Sequence, residues 1–389
     1  MSVGLLSFGS SALGGMSLVS KVLLVYNTNS SDSIAVKNYY LAHRPGMASV
    51  DVLAVTCATT EQIAFSNLNS DIKTPIINWL SANPGIPKYY IVLCRGIPTR
   101  TTGAPIGTPS VSWLVSTNRT DASWSGGIGY DSAEYNAGTQ YYNNSGFGGI
   151  INIPYTPGGY ADTRALVCTM DMGSLAATTA YIDKLSAMCT SMASPNVVIS
   201  ATNAGLGGSH YYLDEAVETF GSFPILSDDN RLLANGISSG RITFVPQSSG
   251  THISTGTDVT GYETWGTNGG MTTSALPSGG YPNDGSIVFS GKSNWFLVKT
   301  IESYNGMQGG GPNSQGCFEK FFYSTAFGGT SYSNTPVGFA GHTDEPTISG
   351  VEAESYLINW DLGLLACECA WGSRCTPYFA FWGDPLVKR

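Results

Sequence analysis

Val22-Leu23-Leu24-Val25-Tyr26 is a short apolar run whose length and β-branched content suit a strand buried on both faces. A polar loop, Asn27 to Ser31, follows it. Asp32 or Ser33 can then cap a helix running through Ala42, which must end at His43-Arg44-Pro45 because proline disfavours helical geometry in the residue before it. Val50 to Val55 reads as a second strand. Ser70 or Asp71 opens a second helix with Ile72, Ile76, Trp79 and Leu80 at helical spacing, closed by Asn83-Pro84-Gly85, and Tyr89 to Cys94 is a third strand. Strand and helix alternating in this way build right-handed crossovers and a parallel sheet. The fold class read here is therefore α/β, a mostly parallel sheet flanked by helices.

The same pattern resumes downstream. Ala165 to Met170 reads as a strand, Ser174 caps a helix to about Met192, Val197 to Ser200 is a strand, and Tyr211 to Phe220 a helix. Arg241 to Val245 and Ser286 to Ser290 are short strands, while Trp295 to Tyr304 and Glu352 to Ala370 read as helices. Thr101 to Tyr160 loses all periodicity and reads as an irregular, Gly/Ser/Asn-rich insertion. The organisation expected is an N-terminal arm, residues 1–20, and one α/β domain, residues 21–389. Met1 to Ser20 has no basic start and no unbroken apolar stretch, so it reads as an arm packed on its own body or on a neighbouring subunit rather than as a signal peptide.

Composition narrows the function classes. Charged residues are only 12% of the chain, so its solubility must come from hydroxyl and amide groups. A net charge of −9 with 18 basic residues argues against a phosphate-binding groove, hence against nucleic acid as partner. No stretch is long and apolar enough to be a membrane span. No cofactor motif is present, and none is expected to bind.

In an open parallel sheet the working residues sit beyond the carboxyl ends of the strands. Cys57 follows the second strand, Cys94 ends the third and Cys168 lies in the fourth. Each suits either a thiolate nucleophile or a small buried strand-end residue. A thiolate would want an imidazole in reach. His43 sits at a helix end and His252 in a polar loop; His210, after the turn Gly205 to Gly208, is the best placed as a base. His342, Asp344 and Glu345 form a dense polar cluster that could bind a metal or form a hydrogen-bonded turn. Cys367, Cys369 and Cys375 look like a zinc half-site, but within one helix residues two apart point to nearly opposite faces. A Cys369–Cys375 disulfide is the other reading. Asn29, Asn118 and Asn143 match the glycosylation sequon, a pattern frequent by chance.

Four motifs carry a family resemblance: Arg95-Gly96-Ile97-Pro98-Thr99-Arg100, Met170-Asp171-Met172-Gly173-Ser174, Glu345-Pro346 and Gly383-Asp384-Pro385-Leu386. In order and spacing they resemble an uncharacterised bacterial family of conserved hypothetical proteins with R-G-V-P-x-R, L-D-G-P-T, E-P and terminal G-D-P-L motifs. The terminal G-D-P and the sheet also look like the caspase-like cysteine peptidases of the gingipain type, which implies a caspase-like architecture. Those enzymes place histidine after one central strand and cysteine after the next. Here Cys94-Arg95-Gly96 holds the first place without histidine, and Cys168 falls inside its strand.

Two functions are expected from this reading. The first is a non-catalytic structural or surface protein of a larger assembly, such as a virion or an extracellular layer, self-associating or meeting other structural proteins through Met1 to Ser20. Its neutral surface, rich in Tyr, Ser, Gly and Asn, would suit a protein or glycan ligand. The second is a cysteine-type hydrolase or peptidase using Cys168 or Cys94 with His210, the glycines at 205 to 208 lending amides to an oxyanion.

Overall fold

The structure is a computed structural model, and it describes residues 18–84, 90–104, 107–116, 165–214, 230, 232–246, 249, 252–264, 282–283, 285–301, 303–309, 318–345, 354–373 and 376–389. The run Val22 to Tyr26 forms the second position of a ten-stranded sheet. In spatial order, with strands numbered along the chain, the sheet is β2 (Asp51–Val55), β1 (Val22–Asn27), β4 (Tyr90–Cys94), β6 (Leu166–Met170), β15 (Phe379–Gly383), β14 (Gly338–His342), β13 (Leu297–Thr300), β11 (Val259–Thr264), β8 (His210–Asp214) and β9 (Ile242–Val245). Among the described residues, three two-stranded pairs accompany it: β3 (Gln62–Ala64) with β5 (Arg100–Thr102), β7 (Ile199–Ser200) with β16 (Val387–Lys388), and β10 (Thr255–Thr257) with β12 (Val288–Ser290).

Within β2-β1-β4-β6 every pairing is parallel, as it is within β14-β13-β11-β8-β9. Between the blocks lies β15, antiparallel to β14. A lone parallel-type bridge, Trp382 to Thr169, joins β15 to β6, but the strand's ends fix its direction better. At its start, Tyr378 O accepts from Thr343 N just past β14; at its finish, Asp384 reaches Arg44 at the far end of the helix that follows β1. Both blocks accordingly present their carboxyl ends on one edge. Segment 303–309 spans that edge: Gly306 N donates to His342 O at 2.7 Å, and Gln308 Nε2 to Asp171 Oδ2 at 2.9 Å.

Why these segments fold so is mostly local chemistry. β1, β4 and β6 are buried almost throughout, which is what continuous Val, Ile and Leu runs encode. The helix Ser31–His43 is capped by Ser30, whose Oγ accepts from Ser33 N at 3.1 Å, two or three residues ahead of the expected caps. Ser174 caps the helix Leu175–Ser191 as expected, accepting from Ala177 N at 3.1 Å. These two helices pack on each other. The helix Ala366–Gly372 packs against β6 and β15. No helix among the described residues is long and apolar enough to cross a membrane.

Several expected elements differ. Trp295 to Tyr304 contains strand β13 instead of a helix: its residues Leu297 to Thr300 are all buried, a pattern a half-exposed helix cannot give. Tyr211 to Asp214 belongs to strand β8, in keeping with the β preference of its paired tyrosines. Val197 to Ser200 yields only the two-residue β7, outside the main sheet. Glu352 to Ala370 is broken into Glu354–Asp361 and Ala366–Gly372, because Gly363 adopts φ +82° and ends the first helix. The second then starts afresh, with Glu368 Oε2 accepting from Leu365 N at 3.1 Å. Of the expected arm, residues 1–17 lie outside the described residues, and Leu18–Lys21 is a 3-10 turn. Of the expected insertion, residues 117–160 lie outside them too, while residues 101–116 include the end of β5 and the helix Val111–Ser116.

The terminal Gly383-Asp384-Pro385-Leu386 motif has a clear structural task. Asp384 is fully buried and accepts from Arg44 Nε at 2.8 Å, Arg44 Nη2 at 2.9 Å, Tyr40 Oη at 2.8 Å and Leu386 N at 2.8 Å. A buried charge held by this many donors ties the chain's last strand to the first helix.

Candidate active edge: Arg95, Asp171 and their neighbours

The chain leaves β1 first toward β2 and later toward β4, so the order reverses at β1, and the carboxyl ends of β1 and β4 are where open α/β sheets form a crevice. Asn27, the last residue of β1, knits that crevice. Its Nδ2 donates to the carbonyls of Cys57, Ala58 and Gly96 at 3.2, 3.0 and 2.8 Å, and its Oδ1 accepts from Cys57 N at 3.2 Å. Gly96 is required here: its φ is +85°, and a Cβ would lie 2.1 Å from Ser30 Oγ.

Arg95 stands at the rim of this crevice, 21% exposed. Its Nε donates to Asp32 Oδ2 at 2.9 Å and its Nη1 to Asp171 Oδ1 at 2.7 Å. Asp171, just past β6, is buried, and it also accepts from Gly173 N and Gln308 Nε2, each at 2.9 Å. Gln308 N in turn donates to Glu61 Oε1 at 2.7 Å, and Glu61 pairs with Arg100 at 3.5 Å. Burial pushes the carboxyl groups of both Asp171 and Glu61 above their ordinary range, against the pull of the arginines. The two arginines of the Arg95 to Arg100 motif thus each hold a carboxylate, and segment 303–309 is strapped across the pair.

Among the described residues, Cys57, Cys94 and Cys168 are not placed as a nucleophilic site. Cys168 lies mid-strand opposite Val92, fully buried, with its Sγ 3.6 Å from Ile91 O. Burial pushes the thiols of Cys94 and Cys168 well up, and that of Cys57 up to about 12. A thiol so placed stays protonated and unreactive. Cys367 and Cys369 are buried in one helix and free, and Cys375 lies outside the described residues.

His210 is not the base that its position after the glycine turn suggested. It begins strand β8, on the amino edge, and its Nε2 lies 2.9 Å from Thr243 Oγ1. Five strand steps separate β8 from β6, so Cys168 is about 24 Å away at the usual spacing, and Cys94, on β4, one step farther. Hydrogen-bond reach is about 3 Å. The amides of Gly205 and Leu206 are engaged within their own turn, by Thr202 O and Ala201 O. Of the other imidazoles, His43 stacks on Tyr39 at 3.9 Å, and His252 Nδ1 lies 3.4 Å from Asp214 Oδ2.

His342, Asp344 and Glu345 are neighbours in sequence that take separate partners. Asp344 Oδ2 accepts from Thr108 N at 2.8 Å and Thr108 Oγ1 at 2.6 Å, and Glu345 Oε2 from Ser303 Oγ at 2.6 Å. His342 is buried beside Lys299, and burial lowers its pKa to about 3. Among the described residues no group of three or more His, Cys, Asp or Glu could hold a metal ion, which corrects the metal reading in favour of the hydrogen-bonded turn.

Sequence reasoning missed Glu61, Gln308 and the buried pair Lys299–Glu263, whose Nζ and Oε1 lie 2.8 Å apart. Arg95 and Asp171 stood in quoted motifs, but nothing in their spacing shows that they touch. The ends of the adjacent strands β4 and β6 hold Arg95 and Asp171. No protein-family model matches the chain, nor does any curated protein or solved structure.

Proposed function

We propose that the protein is a non-catalytic structural or surface component of a larger assembly, such as a virion or an extracellular layer. The observation that carries this reading is the Arg95–Asp171 ion pair, which occupies the strand ends where a caspase-like peptidase would carry its dyad. An arginine held between two carboxylates is neither a nucleophile nor a base, since guanidinium stays protonated throughout the working pH range. The thiols and His210 lie too far apart to take over that chemistry. The low content of charged side chains, 12%, supports a surface that meets other proteins or glycans through hydroxyl, amide and tyrosyl groups.

The test is the assembly state of the full chain, measured by light scattering coupled to size exclusion over a range of concentrations, beside a variant lacking residues 1–20. The reading expects a high-order species that the truncation dissociates. A full chain that stays monomeric at the highest concentration overturns it.

A further inference from the structure

Segment 303–309 covers the carboxyl edge, and most of what holds it there is carboxylate. Ser303 Oγ donates to Glu345 Oε2 at 2.6 Å, Gln308 N to Glu61 Oε1 at 2.7 Å, Gln308 Nε2 to Asp171 Oδ2 at 2.9 Å and Gly309 N to Glu319 Oε2 at 3.1 Å. Gly306 N, on His342 O at 2.7 Å, adds a main-chain bond. Met307 is buried yet stands outside the main hydrophobic cluster. Tyr304, which faces Asp344, Glu345 and Arg100, is held at φ +60°, a strained value for a residue with a bulky side chain. A segment fastened chiefly by polar bonds is of the kind that opens without the rest of the fold.

Two of these carboxylates, Asp171 and Glu61, are bridged by the single residue Gln308. Arg95 and Asp32 face Asp171, and Arg100 and Glu319 face Glu61. Glu319 also lies against the turn after β6, where a Cβ on Gly173 would come within 2.6 Å of its Cγ. On the elements that carry Asp32 and Glu319, Lys37 and Lys320 lie over the rings of Tyr26 and Tyr323, at 4.7 and 5.0 Å. Among the described residues the group thus sets four carboxylates, Asp32, Glu61, Asp171 and Glu319, against two guanidiniums, Arg95 and Arg100. Even with Asp32, 41% exposed, set aside, one negative charge is in excess when all are ionised. Like charges confined in this way favour taking up a proton, and burial of Asp171 and Glu61 acts with the same sign.

We propose that segment 303–309 is a proton-operated strap, closed over Glu61 and Asp171 when this group takes up a proton and lifted as the proton is lost. Covered, the carboxyl groups bind more protons than they do once hydrated. Closure is therefore strongest in the ordinary carboxyl range and weakens as pH rises through the raised values. Lifting uncovers the carboxyl ends of β4 and β6. The inference stands apart from the assembly reading.

Hydrogen exchange of the full chain, followed by mass spectrometry on peptides covering 303–309 and corrected for the intrinsic effect of pH on exchange, tests it. Protection of the Gly306, Gln308 and Gly309 amides is expected to fall as pH is raised from the ordinary carboxyl range to neutrality, by up to about tenfold per pH unit, the limit for one coupled proton. The amides of β4 are expected to keep theirs. Protection that stays level or rises with pH overturns the proton linkage, and a parallel fall in β4 overturns the strap as a separate element. Glu61→Gln keeps an oxygen for Gln308 N and removes one charge, so it is expected to stay closed at neutral pH with a shallower slope. A folded variant with the parent's slope overturns the assigned group. Should the variant fail to fold, the pH series of the parent chain still decides.

Discussion

Arg95 and Asp171 close a 2.7 Å ion pair across the carboxyl ends of adjacent strands β4 and β6. Asp171 is buried and Arg95 keeps about a fifth of its side chain in solvent, so removing the arginine strands a carboxylate that cannot rehydrate freely. Arg95→Met is expected to destabilise the fold by about 2–4 kcal/mol, below the fully buried range because the arginine is partly wet. Urea denaturation measures it. The double variant Arg95→Met with Asp171→Leu should recover part of the loss; no recovery would mean that the carboxylate was not the stranded group.

The pair Arg44–Asp384 is wholly buried and so carries the larger penalty. Asp384→Ala leaves Arg44 without its carboxylate and is expected to cost about 3–5 kcal/mol. Because Asp384 also accepts from Leu386 N, the last strand should loosen with it. Limited proteolysis is expected to trim the C-terminus of the variant faster than that of the parent chain, and equal trimming rates would contradict the tie.

His342 gives the fold a signed pH dependence. Its folded pKa is lowered from 6.5 to about 3, so between these values the unfolded chain binds more protons than the folded one. Stability from this group is complete above about pH 6.5 and is lost as pH falls toward 3. Asp171 and Glu61, with raised pKa values, act with the opposite sign: each favours the fold most at low pH and less as pH rises. Comparing the chain with His342→Gln isolates the histidine. The variant's urea midpoint is expected to fall less steeply on acidification below pH 6.5, and parallel curves would contradict the assignment.

The legible part of the fold was the part built from uninterrupted apolar runs. β1 and β4 stood out because burial on both faces leaves a nearly continuous apolar run, the half-exposed edge strand β2 because its Val52 to Val55 run is apolar, and Pro45 and Pro84 marked the helix ends. Burial hid β13, where Trp295-Phe296-Leu297-Val298 carries no alternation and Lys299 is charged yet buried. Periodicity cannot tell a buried strand from a buried helix. At the site, Arg95 and Asp171 were visible as motif residues, but Gln308 reaches Asp171 from 137 residues away, and no local pattern encodes that contact. The expected Cys168–His210 pairing failed because it needed the strand order, which sequence alone leaves open.

Thiol reactivity tests the central claim, that the ends of β4 and β6 are joined by the Arg95–Asp171 ion pair while Cys94 and Cys168 are buried, unreactive thiols, most directly. The native full chain is treated with an electrophilic thiol probe, and the modified sites are mapped by peptide mass spectrometry beside a denatured control. The account predicts that Cys94 and Cys168 stay unmodified in the native chain and react only after denaturation. Rapid, selective native modification of either thiol would contradict it.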